Sequence, residues 1–193
     1  MAVERLDELE ARPPLTVAEF EVLALERGWD EDTRVELLDG EVVEMSPIND
    51  PHIGCVNRLN RVFNRRLPED AVLVSIQNPV QLGEYDEPQP DVALLRPRPD
   101  DYGSSKATAE DIVLLVEVAD RSLRIDLGRK ARIYASAGVQ EYWVIDVNHR
   151  TLYVHRQPSA GAYLSKRVLG REEQLVAEFA PDIGFSVAEL VGR

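Results

Sequence analysis

Ile112-Val113-Leu114-Leu115-Val116-Glu117-Val118-Ala119 is the stretch that decides how this chain folds. It is continuously apolar apart from one acid, and it does not alternate. That pattern predicts a strand covered on both faces, as in a sheet flanked by helices, rather than a half-wet strand. Glu117 is the anomaly. A carboxylate inside such a strand costs several kcal/mol unless a cation, a metal or a hydrogen-bond shell compensates it. A second acid is placed in a similar way: Asp91 follows Pro90 and opens the short apolar run Val92-Ala93-Leu94-Leu95. Two acids at two hydrophobic strands begin a site.

Working outward, residues 122–136 carry helical spacing and stop before Gly138, and Glu141-Tyr142-Trp143-Val144-Ile145-Asp146 reads as a strand. The strand–helix–strand unit 111–147 is therefore expected to be a right-handed crossover between parallel strands. Asn148-His149-Arg150 turns the chain into Thr151-Leu152-Tyr153-Val154-His155, and residues 162–169 and 174–178 continue the meander. Toward the N-terminus, Thr16-Val17-Ala18-Glu19 has capping-box spacing and opens a helix to about Arg27, ended by Gly28. Asp39-Gly40 between Arg34–Leu38 and Glu41–Met45 signals a hairpin. Ile53, Val56, Leu59, Val62 or Phe63, and Leu67 make 52–67 an amphipathic helix, with arginines mainly between those positions. Short strands are expected at 71–76 and 78–82, a loop at 96–109, and a closing helix at Ser186–Leu190. The sum is an α/β (α+β) fold: a mixed central sheet flanked by helices, with an N-terminal helix–hairpin extension.

The 193 residues are enough for one domain, 1–193, with its core at about 15–190. No apolar run is long enough to span a bilayer, which argues against a membrane partner. The first residues, Met1 to Glu8, lack the pattern of a signal peptide. Cys55 is the single cysteine, which fits a reducing cytoplasm. The formal charge of −13 opposes phosphate binding on average. Two basic segments run against that average: Arg58, Arg61, Arg65 and Arg66, and then Arg121, Arg124, Arg129, Lys130 and Arg132. Each, taken alone, reads as a solvated helix face.

Lys130 supplies the third piece of the site. Leu127, Ala131, Tyr134 and Gly138 define the inward stripe of their helix, and Lys130 lies at its edge. The helix follows directly from the Glu117 strand, so the lysine can reach back to that acid. The competing reading is a lysine whose stem lies on the core and whose ammonium is in water. Two carboxylates on neighbouring strands can hold Mg²⁺, a hard ion that prefers oxygen ligands. Such a metal activates water and neutralises a phosphate oxygen, while a nearby lysine stabilises the transition state. That is phosphodiester hydrolysis.

The segments Gln89–Leu94, Leu115–Val118, Asp126–Tyr134 and Ala137–Asp146, taken together, resemble the Uma-two family of restriction-endonuclease-like proteins. So do Arg34–Glu41, Ser46-Pro47 and His52, and the likeness spans roughly residues 15–190. The resemblance implies the fold of the PD-(D/E)xK superfamily, with Asp91 and Glu117 as ligands of Mg²⁺, or of Mn²⁺ in its place. One departure matters: the superfamily lysine two residues after the acid would stand at 119, where this chain has Ala119. The resemblance implies that Lys130 replaces it. Glu36 is a further candidate metal ligand, against the alternative of a solvent-facing strand residue. His52, near a helix start, is a candidate general base or phosphate contact, and Gln77 a cleft-lining residue.

The implied function is Mg²⁺-dependent hydrolysis of DNA, with Asp91, Glu117, Lys130, Glu36 and His52 forming the catalytic group. DNA binding is expected to be weak and salt-dependent, given the acidic charge. The rivals are an inactive nucleic-acid-binding or assembly module of the same fold, and acids that serve stability alone. A homodimer is expected, with the apolar strands 141–147 and 151–155 leaving an edge for pairing.

Overall fold

The computed structural model describes residues 13–29 and 33–192. The expectation placed on Met1–Glu8 therefore falls outside the described residues. The chain begins with α1 (Val17–Arg27), whose Thr16/Glu19 capping box and left-handed Gly28 terminus form as the spacing predicts. The hairpin β1 (Val35–Leu38) and β2 (Glu41–Glu44) turns at Asp39 and Gly40, both at positive φ, 51° and 74°. Those angles suit the two central residues of a tight hairpin turn, which explains the Asp-Gly pair.

Helix α2 (Asp50–Arg66) is capped by the Asn49 side chain, which accepts from His52 N–H. Cys55, Val56, Leu59 and Phe63 form its buried side. Ile53, expected to point inward, is 45% exposed in the first turn of the helix. Next come β3 (Leu73–Ile76), β4 (Val80–Gln81), β5 (Val92–Leu95), β6 (Ala107–Thr108) and β7 (Ile112–Ala119). After β7 the chain makes α3 (Leu123–Ile125), a π-helical turn (Asp126–Lys130) and α4 (Ala131–Ser136). The remainder is β8 (Glu141–Asp146), β9 (Thr151–Ser159), β10 (Ala162–Leu169), β11 (Gln174–Val176), β12 (Gly184–Ser186) and α5 (Val187–Val191).

The main sheet has six strands in the order β10-β9-β8-β7-β5-β3. β7 and β8 are parallel, as the crossover predicts, and the other neighbours are antiparallel. β4 lies outside this sheet and pairs in parallel with β6. The expected edge for dimer pairing is corrected here: β8 and β9 are both interior strands, and the edges are β10 and β3. β10 follows β9 as an antiparallel hairpin and covers the edge that β9 would otherwise expose.

β7 shows why its sequence is apolar throughout. Leu114, Val116 and Val118 enter one core with α2 and α5. Leu115 and Ala119 enter a second core with Ala131, Ile133 and Tyr134 of α4. Alternation along a strand puts Glu117 on the second face, toward the helix that carries Lys130. No helix among the described residues is long and apolar enough to cross a membrane.

Candidate functional site

The site forms where the ends of β5 and β7 meet the π-helical turn, the first hairpin and the start of α2. Val92 pairs with Val116 in the β5–β7 register, so Asp91 stands one step beyond, beside the Glu117-Val118 segment. Its Oδ2 accepts from Val118 N–H at 2.8 Å. Its Oδ1 is 2.9 Å from His52 Nε2 and accepts from Gln77 Nε2 at 3.1 Å. Asn49, besides capping α2, donates to Asp120 Oδ2 at 2.7 Å, which ties the helix start to the end of β7 and brings His52 onto Asp91. His52 Nδ1 is buried and has no hydrogen-bond partner among the described residues. Gln77 holds its contact from a left-handed backbone, φ 52°, unusual for a residue with a side chain.

Lys130 is 4% exposed. Its Nζ lies 3.0 Å from Glu117 Oε1 and 3.0 Å from Glu36 Oε2. The reading in which its ammonium reaches water is thereby corrected. The physical reason lies in the π-helical turn, where Ala131 N–H reaches Asp126 C=O five residues back. Asp126 and Lys130, four residues apart, share one face of that turn and are both buried, and such turns often mark functional positions. Tyr134 OH donates to Glu117 Oε1 at 2.7 Å, one turn further along α4. Glu36 is 4% exposed, so the solvent-facing alternative is corrected as well. The hairpin docks through paired Leu37 and Glu87 backbones, and Glu36 Oε2 accepts from Gln89 N–H at 3.2 Å.

Asp126 is the residue that sequence reasoning overlooked. It is 2% exposed, accepts from Ser122 Oγ at 2.6 Å, and lines the same cleft. Its spacing of four from Lys130 was the available signal. In the sequence the acid stands among Arg121, Arg124, Arg129, Lys130 and Arg132, where it reads as a counter-charge on a basic face. The cleft is also lined by Arg34, Val43, Met45, Pro47, Asp120 and Arg121, and its cavity volume is ≈ 60 Å³.

Electrostatics follow from burial and crowding. Burial pushes the Asp91 carboxyl up, but the His52 hydrogen bond and charge and the Val118 N–H outweigh it and hold it below the usual range. Burial drives Glu117 well above the usual carboxylate range; Lys130 opposes this, and Asp126, Asp91 and Glu36 add to it. Asp126 is pushed up to about 6 by burial, against Lys130 and Ser122. Burial acts to lower Lys130, yet Glu117, Glu36 and Asp126 outweigh it and keep the lysine a firmly held ammonium. Four buried carboxylates therefore crowd one buried ammonium.

This is an excess of hard oxygen donors, which suits a hard divalent cation. The fit is partial. Among the described residues no three His, Cys, Asp or Glu side chains converge as a metal cluster. The three-acid shell of Asp91, Glu117 and Glu36 is thus not assembled, because Lys130 bridges two of its members. Mg²⁺ commonly takes only one or two carboxylates and keeps its waters. Asp91 and Glu117 stand beside each other one step beyond the Val92–Val116 pair of the β5–β7 register.

Three comparisons with known proteins bear on this arrangement. A crystal structure described as a "putative nuclease belonging to DUF820", from Anabaena variabilis, is similar with a TM-score of 0.73, over 92% of this chain and 98% of that one. At 17% identity the likeness is one of fold. No curated protein matches the chain. The family model for Uma2, described as "Putative restriction endonuclease", matches residues 17–188. With that match covering most of its length, the chain belongs to the Uma2 family.

Proposed function

We propose that this protein is a metal-dependent endonuclease that hydrolyses DNA phosphodiester bonds in the cleft between β5, β7 and the π-helical turn. The observation that carries the reading is the buried excess of carboxylates: Glu36, Asp91, Glu117 and Asp126 surround Lys130, and all five are at most 6% exposed. Such crowding is costly in a site that serves stability alone. It is relieved when a divalent cation enters, and the family and fold both point to nuclease chemistry.

Asp91 and Glu117 would hold Mg²⁺, or Mn²⁺ in its place, with Glu36 as a further candidate ligand. The metal would supply a water of lowered pKa and charge neutralisation at a phosphate oxygen. The chain's own groups do the rest. Lys130, kept protonated by its carboxylate neighbours, faces the charge that develops on the phosphate in the transition state. Tyr134 and Glu36 fix the rotamers of Glu117 and Lys130. His52 holds Asp91 from the helix side, and its ring lines the cleft as a candidate general base or phosphate contact. Gln77 and Val118 N–H keep Asp91 ionised and oriented. The active molecule is proposed to be a homodimer, matching the two-fold symmetry of duplex targets.

The second reading, an inactive module of the same fold, draws on two observations: Ala119 stands where the superfamily lysine would be, and no three-donor cluster is preformed among the described residues. Calorimetry with Mn²⁺ and a plasmid-nicking assay, each on wild type and Glu117→Ala, separate the two. The nuclease reading expects Mn²⁺ binding and nicking that both depend on Glu117. Absence of Mn²⁺ binding, or nicking by the variant at the wild-type rate, overturns it.

A further inference from the structure

Four arginines of the two basic segments are engaged elsewhere in the fold. On α2, Arg58 donates to Val191 C=O, and Arg66 pairs with Glu189 at 2.6 Å while lying over the Phe185 ring. Both arginines fasten the C-terminal helix, and none of Arg58, Arg61, Arg65 and Arg66 lines the cleft. Beyond β7, Arg129 pairs with Asp39 and Glu41, and Arg132 with Asp39, fastening the hairpin turn. Among the described residues two guanidiniums line the cleft: Arg34 on the hairpin side, which donates to Ser46 C=O at 2.9 Å, and Arg121 just past β7, 3.7 Å from Asp120 Oδ2. The Arg121 side chain is 81% exposed. The rest of the rim carries apolar Val43, Met45, Pro47 and Ile125, the last 40% exposed.

A protein that holds duplex DNA commonly neutralises about six to ten phosphates. This cleft offers two cationic rim groups and six carboxylates in its lining, so a flanking duplex backbone would meet net repulsion. Depth points the same way. Glu117 and Asp91 are 3% and 6% exposed, so a scissile phosphate must descend into the cleft to reach them. A duplex is stiff, with a persistence length of about 50 nm, and resists such a local excursion. An unpaired strand bends freely and turns its bases out, where apolar rim side chains can meet their faces.

We propose that the substrate of this cleft is an unpaired DNA strand rather than an intact duplex, gripped at two phosphates by Arg34 and Arg121. The assignment rests on the nuclease reading above. It sharpens that reading from DNA in general to single strands, flaps or frayed ends.

The test is fluorescence anisotropy of a labelled single-stranded oligonucleotide and of the same sequence as a blunt duplex, at fixed Ca²⁺ and varied NaCl. The single strand is expected to bind at least tenfold more tightly. Two phosphate contacts give a log–log salt slope of about −1.4 on a single strand, against about −5 to −9 for a duplex-type footprint. The Arg34→Ala/Arg121→Ala double variant, with its fold checked by circular dichroism, should weaken binding about tenfold and flatten the slope toward zero. Equal or tighter duplex binding, no binding of either oligonucleotide, or an unchanged slope in the double variant overturns the inference. Those failures are distinct from failure of the nuclease reading, which shows as absent Mn²⁺ binding in calorimetry whatever the oligonucleotides do.

Discussion

At the scale of single residues, Glu117 and Lys130 have opposite consequences for stability. Glu117 is a carboxylate that burial makes reluctant to ionise, so an uncharged isostere suits the folded core better. Glu117→Gln is expected to raise stability by about 1 kcal/mol in urea unfolding at pH 8, a common result when a strained functional group is removed. The same variant should nick plasmid about 100-fold more slowly or worse, the scale of losing one preorganised transition-state group. Lys130→Met does the reverse to the core. It leaves Glu117, Glu36 and Asp126 without their shared ammonium, and breaking a buried pair costs about 3–5 kcal/mol. The penalty should shrink between pH 8 and pH 5, because the stranded acids relieve repulsion by taking up protons. Parallel unfolding curves at the two pH values for Lys130→Met and wild type check this; a penalty that grows at pH 5 would contradict it.

At the scale of elements, β8 and β9 hold two polar groups that no proposed chemistry requires. Glu141 is fully buried on β8. It accepts from Trp143 Nε1 at 2.9 Å, from Arg156 Nε at 2.8 Å and from Glu178 N–H at 2.7 Å. These contacts tie β8, β9 and the chain after β11 into one unit. Arg156→Met should destabilise by about 3–5 kcal/mol in chemical denaturation while leaving Mn²⁺ affinity at the cleft unchanged. The other group is His155, 4% exposed on β9 and stacked against Tyr142 with ring centroids 5.6 Å apart. Burial, with Lys166 adding repulsion, lowers its pKa from 6.5 to about 4. The folded state therefore holds it neutral while the unfolded chain protonates it first. Its contribution is complete above pH 6.5 and is lost as pH falls toward 4, by up to about 3 kcal/mol. His155→Phe should remove that part of the acid sensitivity, seen as a flatter stability profile between pH 6.5 and 4 than wild type gives.

At the scale of the whole molecule, the sheet ends in β10 and β3, and β10 carries exposed Leu164 and Val168 beside Lys166 and Arg167. The proposed homodimer, checked by sedimentation at several concentrations, should be disrupted by Leu164→Glu if β10 is its seam, and a monomer at all concentrations would remove the dimer from the proposal. Local patterns in the sequence were enough to place the buried β7, the capping box of α1, the Asp-Gly hairpin, the parallel β7–β8 step and the acids Asp91 and Glu117. Each is dictated within a few residues by periodicity, turn chemistry or the cost of a lone charge among apolar neighbours. The true sheet edges, the engagement of the arginines by Asp39 and Glu189, and the entry of Asp126 into the site were not visible there. They depend on which distant segments meet, and on the docking of the helix after β7 that turns Asp126 and Lys130 toward the cleft. A sequence specifies its own strands and helices through short-range propensity and patterning. The tertiary structure decides which charges find partners, because pairing in a buried site is settled by distances between elements far apart in the chain.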